Sequence, residues 1–188
     1  MKNIFRFLPI VALLFTLSAC NNNTGSATTE TKETTVKNGG QEAVQDDVSQ
    51  KDVVKVAVGS KDHTTLVAAL KQADLVTSLS NAGPFTVFAP TNEAFNKLPP
   101  GTVDGLMKED KKADLQNILE YHVTTSALSI DMLQTVQSLG MVNGGNVTVT
   151  VKDGKVLLNG GTANIIASVR ASNGWVHIID AVLLPPAK

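Results

Sequence analysis

Gly83-Pro84-Phe85-Thr86-Val87-Phe88-Ala89-Pro90-Thr91-Asn92-Glu93-Ala94-Phe95 is the stretch whose reading decides the fold. Phe85 to Ala89 is a compact β-type run held between two prolines, and it reads as a short buried strand. The chain then changes period at once. Thr91 offers a side-chain oxygen to cap a helix carrying Ala94, Phe95 and Leu98, and Pro99-Pro100-Gly101 stops it. A buried strand that runs straight into a short helix predicts a sheet with helices packed on it.

Working outward, Leu66, Val67, Leu70 and Ala73 recur at helical spacing after Asp62, His63 and Thr64, which are expected to cap that helix. A second short helix is expected through Leu75, Val76 and Leu79, ended by Asn81-Ala82-Gly83-Pro84. Thr102 and Asp110 are expected caps for two more, the latter placing Leu115, Ile118 and Leu119 on one face. Beyond Ser129 and a short helical turn the period falls to two. Val147, Val149 and Val151 alternate with threonines, and Asp153-Gly154 predicts a hairpin turn before Val156, Leu157 and Leu158. Asn173-Gly174 predicts another such turn, ahead of a last strand from Trp175 to Leu184. The class is α+β, with helices on a largely antiparallel sheet.

Composition narrows the function. Among 188 residues, 16 Lys plus Arg nearly balance 17 Asp plus Glu, for a formal charge of −1. Nucleic-acid binding selects a basic face, so that partner is not expected. One cysteine excludes a disulfide framework, and the three histidines, at 63, 122 and 177, are too scattered in sequence to suggest a metal site. No cofactor is expected. Catalysis is not expected either: there is no Gly-x-Ser-x-Gly elbow and no phosphate-cradling glycine loop, and Gly144-Gly145 and Gly160-Gly161 read as turns between strands.

The amino terminus carries a different signal. Residues 1–19 read as a signal peptide: Lys2 and Arg6 precede an apolar run from Phe7 to Leu17. That run is shorter than the about 20 apolar residues a membrane span needs. Leu17-Ser18-Ala19-Cys20 resembles the lipobox of bacterial lipoproteins, which implies cleavage before Cys20 and acylation of its thiol. Asn21 stands where enterobacterial retention signals carry aspartate, so the outer membrane is the favoured destination. Residues 20–50 then read as a lipidated cysteine and a polar, aperiodic tether, and 51–188 as one domain.

Three blocks carry a family resemblance. The opening stretch resembles the first signature of fasciclin-like domains. Asn173-Gly174-Trp175-Val176-His177-Ile178-Ile179-Asp180-Ala181-Val182-Leu183-Leu184-Pro185 resembles the second, and Tyr121-His122-Val123 sits where the family carries its Tyr-His pair. The resemblance spans residues 51 to 188. It implies a β-sandwich or wedge of mainly antiparallel strands flanked by short helices, in a secreted or membrane-tethered protein that acts in adhesion or matrix binding. In animal members the Tyr-His segment and an Asp-Ile pair before the final hairpin are implicated in integrin binding. Here Tyr121 and His122 are present, but Ser168-Val169 stands in place of Asp-Ile, which removes the carboxylate. Trp175 replaces a usual aliphatic residue, and Arg170 lies on the other side of the turn.

Tyr121, His122, Ser168, Val169, Arg170 and Trp175 are therefore the candidate partner-contact residues, with Arg170 and Trp175 expected to form one patch. His177, on an alternating strand, is expected to be a hydrogen-bonded structural residue. Asp180, three positions further on, faces the other side and is not expected to pair with it. The expected function is a surface-tethered, non-enzymatic adhesion or protein-interaction module of the cell envelope. Its expected partners are a protein or matrix component and the membrane itself, through the lipid. A small-molecule binder for lipid, pigment or glycan is the alternative, and weak self-association through an edge strand at Val147–Val151 is a third reading.

Overall fold

The computed structural model describes residues 50–186. The expected signal peptide, Cys20 and nearly all of the tether lie outside the described residues.

Short helices come first: α1 (Val53–Val58), α2 (Thr64–Gln72) and α3 (Val76–Ser80). Strand β1 (Phe85–Pro90) leads into α4 (Asn92–Asn96), α5 (Thr102–Leu106) and α6 (Lys112–Glu120). Then come β2 (Val123–Thr124), α7 (Ile130–Leu133), β3 (Ser138–Gly140), β4 (Asn146–Lys152), β5 (Lys155–Leu158), β6 (Ala163–Ala171) and β7 (Gly174–Ile179). The strands form one seven-stranded sheet in the order β2-β1-β7-β6-β5-β4-β3. The expected α+β class, a mainly antiparallel wedge flanked by short helices, is the fold observed.

Alternation along the central strands divides the interior in two. Val87 and Ala89 of β1 and Val176 of β7 face the helices, joining Val53, Leu66, Leu70, Leu115 and Leu119. Phe88 and Ile179 point the other way, into a second core with Tyr121, Leu133, Val147, Val156, Leu158 and Leu183. Each Val, Leu, Ile or Phe among them contributes about 1.5–3 kcal/mol when fully buried. Strands β3 to β5 supply one wall of this second core, and Val147 and Val149 are buried between exposed neighbours as their period requires.

Several local expectations are corrected. Helix α1 was not anticipated; Asp52 caps it by accepting from the Lys55 N–H at 2.7 Å, and Val53, Val54 and Ala57 are its buried face. Asp62, His63 and Thr64 do not cap α2. Ser60 Oγ accepts from Asp62 N–H in the tight turn before it, and Asn92 Oδ1, from the start of α4, accepts from Thr65 N–H at 3.0 Å. Thr102 and Asp110 make no cap bond: Gly101, in the left-handed region, precedes α5, and Asp110 sits inside a 3₁₀ turn before α6. Thr91 does cap α4, accepting from Ala94 N–H at 3.2 Å.

In the sheet, β1 and β7 run parallel, from Phe85↔Gly174 to Pro90↔Ile179, while the other pairs are antiparallel. The Asp153-Gly154 turn has the expected positive φ at both residues, 51° and 72°. The second hairpin differs. Ala171 pairs with Gly174, so Ser172-Asn173 is the connection and Gly174 is the first residue of β7. β7 ends at Ile179, and Val182 and Leu183 are buried as irregular chain. Strand β4 lies between β3 and β5 in the sheet, with β3 beside Asn146–Thr148 and β5 beside Val149–Lys152, so of the expected edge Val147–Val151 only the end beyond β3 is without a strand on that side.

Candidate functional site

The candidate site grows from the β6–β7 hairpin. Asn173 fixes its base. Its Oδ1 accepts from Val53 N–H at 2.9 Å, and its Nδ2 donates to the carbonyls of Leu79 and Asn81 at 2.8 and 3.0 Å. Its own carbonyl accepts from Phe85 N–H at 2.9 Å. One residue thus ties the starts of α1 and β1 and the end of α3 to the hairpin, its side chain holding α1 and α3 and its carbonyl β1. The reading of Asn173 as a turn residue missed this.

Register then places the candidate side chains. Arg170 is the cross-strand partner of Trp175, Val169 of Val176 and Ser168 of His177. The pleat puts Ser168, Arg170, Trp175 and His177 on one face and Val169 on the other. The Arg170 guanidinium lies 5.7 Å from the Trp175 ring centre, a cation–π contact worth about 0.5–1 kcal/mol at an exposed site. Trp175 in turn stacks on His177 at 6.2 Å with 2° between the planes, and His177 on Phe88 at 5.7 Å. A row of rings therefore runs from the core to the surface and ends under a cation.

His177 anchors the row. Its Nε2 lies 2.9 Å from the Leu128 carbonyl, which can only accept, so Nε2 carries the proton. Nδ1 is then the acceptor for the Ser168 hydroxyl at 2.7 Å. Burial lowers the His177 pKa, against the raising effect of the Leu128 bond, which keeps the ring neutral. A serine hydroxyl bonded to a histidine is the geometry of a nucleophile and its base. Here the ring is wholly buried between Phe88 and Trp175, and the bond fastens β6 to β7. Asp180 is engaged elsewhere, accepting from Asn164 N–H and its side-chain amide at 2.7 and 2.8 Å.

Tyr121 and His122 are corrected as contact residues: each is only 2% exposed, so neither presents a surface to a partner. Both end α6 and point inward because their polar tips find partners there. Tyr121 Oη donates to the Asn146 carbonyl at 2.8 Å and accepts from Asn159 Nδ2 at 3.2 Å. His122 Nδ1 donates to the Ile118 carbonyl at 2.8 Å, and its Nε2 accepts from Leu183 N–H at 3.0 Å. Of the candidates, the structure gathers Ser168, Arg170 and Trp175 on one face, sets Val169 on the reverse and buries the other two. Among the described residues no three His, Cys, Asp or Glu side chains converge as a metal site requires.

This fold has known counterparts. The fasciclin domain description matches residues 61–185. Protein sll1483 of Synechocystis is 49% identical over 134 residues, covering 71% of this chain and 73% of that one. The cell surface glycolipoprotein MPB83 of Mycobacterium bovis is 38% identical over 148 residues, covering 75% of this chain and 64% of that one. Among solved structures, the domain pair of the insect cell adhesion molecule fasciclin I superposes with a TM-score of 0.66 at 20% identity. That match covers 73% of this chain and 52% of the other, so the chain spans about half of the structure it resembles. The chain belongs to the fasciclin domain family.

Proposed function

We propose that this protein is a non-enzymatic adhesion or protein-interaction module held on the outside of a bacterial envelope by lipid on Cys20. On this reading it touches its partner with the β6–β7 hairpin. The observation that carries the reading is the Arg170–Trp175 pair: a half-buried aromatic ring, fixed from beneath by His177, with an exposed guanidinium over it. Aromatic and arginine side chains with preset geometry dominate protein contacts, because little conformational freedom is lost when they bind. Support from relatives is of two kinds. One is named a cell surface glycolipoprotein, and the fold occurs in an insect cell adhesion molecule.

The contact is tested with liposomes bearing the lipidated protein, measured for adhesion to intact cells of the source organism. The Arg170→Ala, Trp175→Ala double variant is expected to lower adhesion by about tenfold or more. Adhesion equal to that of the parent protein removes the hairpin from the reading.

Anchoring has its own test. Two or three acyl chains, at about 0.8 kcal/mol per buried CH₂, make membrane attachment effectively permanent. Cys20→Ser is therefore expected to yield uncleaved or unlipidated protein, detected as a mass lacking the acyl chains. A mature, lipid-bearing product from that variant contradicts the assignment.

A further inference from the structure

We propose that the outer edge of β6 is a strand-addition site for an extended peptide segment of a partner protein, in which apolar and acidic side chains alternate. The proposal rests on the reading of the hairpin as the contact surface, and it names the partner's chemistry.

Backbone parity supplies the first part. Ile179 of β7 accepts from Thr91 N–H, on the β1 side, so the odd-numbered residues of β7 turn their peptide groups toward β1. The even-numbered ones face β6, where their partners are Ala167, Val169 and Ala171. Ser168 and Arg170 consequently direct their own N–H and C=O groups away from β7. On that far side β5 reaches only Ala163 and Asn164. From Ala167 to Ala171 the edge meets no other strand among the described residues.

The open run has defined ends. A bulge between Ile165 and Ala167 leaves Ile166 outside the ladder and 61% exposed. At the other end the Lys51 carbonyl takes the Ser172 N–H at 3.0 Å. Between them lies space for about five extended residues, roughly 17 Å at 3.4 Å per residue.

The two faces of the edge specify the side chains. A residue placed level with Arg170 on the ring-bearing face meets its guanidinium. One placed level with Val169 meets the reverse face, where a cleft of about 320 Å³ opens between α1 and the sheet. Lys51, Val56, His63, Val169, Val176 and Ile178 are among its lining residues, and Val169 is left 38% exposed. The cleft suits an apolar side chain. Neither Lys51 nor Arg170 enters an ion pair among the described residues, so the charge that complements this edge is negative. In strand addition, main-chain bonds supply affinity and alternate side-chain sites supply selectivity, and both are present here.

Trp175 is the single tryptophan of the chain and stands beside the edge, so its emission reports binding. The probe is a capped Val-Asp-Val-Asp-Val peptide added to the full-length protein. A saturable change in Trp175 emission is expected, weakened about tenfold when lysines replace the aspartates and lost when the peptide's alternate amides are N-methylated. Arg170→Glu, its fold checked by circular dichroism, should prefer the lysine peptide, and Arg170→Gln should lose the discrimination. Equal binding of the methylated peptide, or no response to any peptide by folded protein, overturns the proposal. If peptides fail while the Arg170, Trp175 double variant still loses adhesion, the hairpin surface stands and strand addition does not.

Discussion

Gly174→Ala is expected to lose about 4 kcal/mol or more of folding stability, among the largest effects a single substitution produces. A Cβ built on Gly174 falls 1.8 Å from the Phe85 carbonyl oxygen, 2.7 Å from its carbon and 2.9 Å from the Phe85 nitrogen. These are backbone atoms of the paired strand, so no side chain can swing aside. The φ of +154° is itself disfavoured for any residue with a Cβ. Relief requires β1 and β7 to part at Phe85↔Gly174, the first pair of the parallel ladder that separates the two cores. A domain of ordinary stability holds about 5–15 kcal/mol in all, so soluble yield should fall sharply and the urea midpoint with it. Gly144→Ala is the control. Its φ is +82°, but nothing lies within 4 Å of the added carbon, so only the local backbone term of about 1–2 kcal/mol applies. Similar urea midpoints for the two variants would refute the close-approach argument.

The same glycine shows what could be read in sequence and what could not. Asp153-Gly154 was legible because everything that fixes a two-residue turn is local: two positive φ values and alternating flanks. Asn173-Gly174 carries an equivalent turn signal, yet it is a bracket and a close approach. The partners that decide this, Val53, Leu79 and Asn81, lie 120, 94 and 92 residues away in the chain. The cap of α2 failed for a similar reason, since Asn92 supplies it from 27 residues downstream. The parallel pairing of β1 with β7 is equally non-local; a strand's period carries its burial but not its direction. In the candidate site, Arg170 and Trp175 were legible only as neighbours in sequence; an Asn173-Gly174 turn would have set Arg170 opposite His177, and the Ser172-Asn173 connection sets it opposite Trp175 instead. The inward turn of Tyr121 and His122 did not, because a polar tip tolerates burial only when distant groups such as Asn146, Asn159 and Leu183 are there to bond it.

His122 carries the second large effect, a loss of stability in mild acid. Its ring is buried, donates to Ile118 and accepts from Leu183, and burial, opposed only by the Ile118 bond, pushes its pKa from 6.5 down to about 4. A protonated ring would have no lone pair for the Leu183 N–H and would place an uncompensated charge in the core. The folded state therefore refuses a proton that the unfolded chain accepts. Well above pH 6.5 the histidine is neutral in both states and costs nothing. As pH falls from 6.5 toward 4 the unfolded state binds more protons, so stability must decline, and His122 alone removes about 2 kcal/mol between pH 7 and pH 5. His63 and His177 are also lowered by burial and steepen the loss in the same direction. Asp180 does not confuse the window. Its own burial works to raise its pKa, but the Asn164 bonds and the Lys97 charge hold it below its ordinary 3.8, so its contribution fades only in stronger acid. Urea titrations at pH 7 and pH 5 measure the decline, and His122→Asn separates the causes. That variant begins weaker at pH 7, having lost a well-fitted ring, but should lose about 2 kcal/mol less on going to pH 5. If its decline is as steep as the parent's, His122 is not the group that titrates.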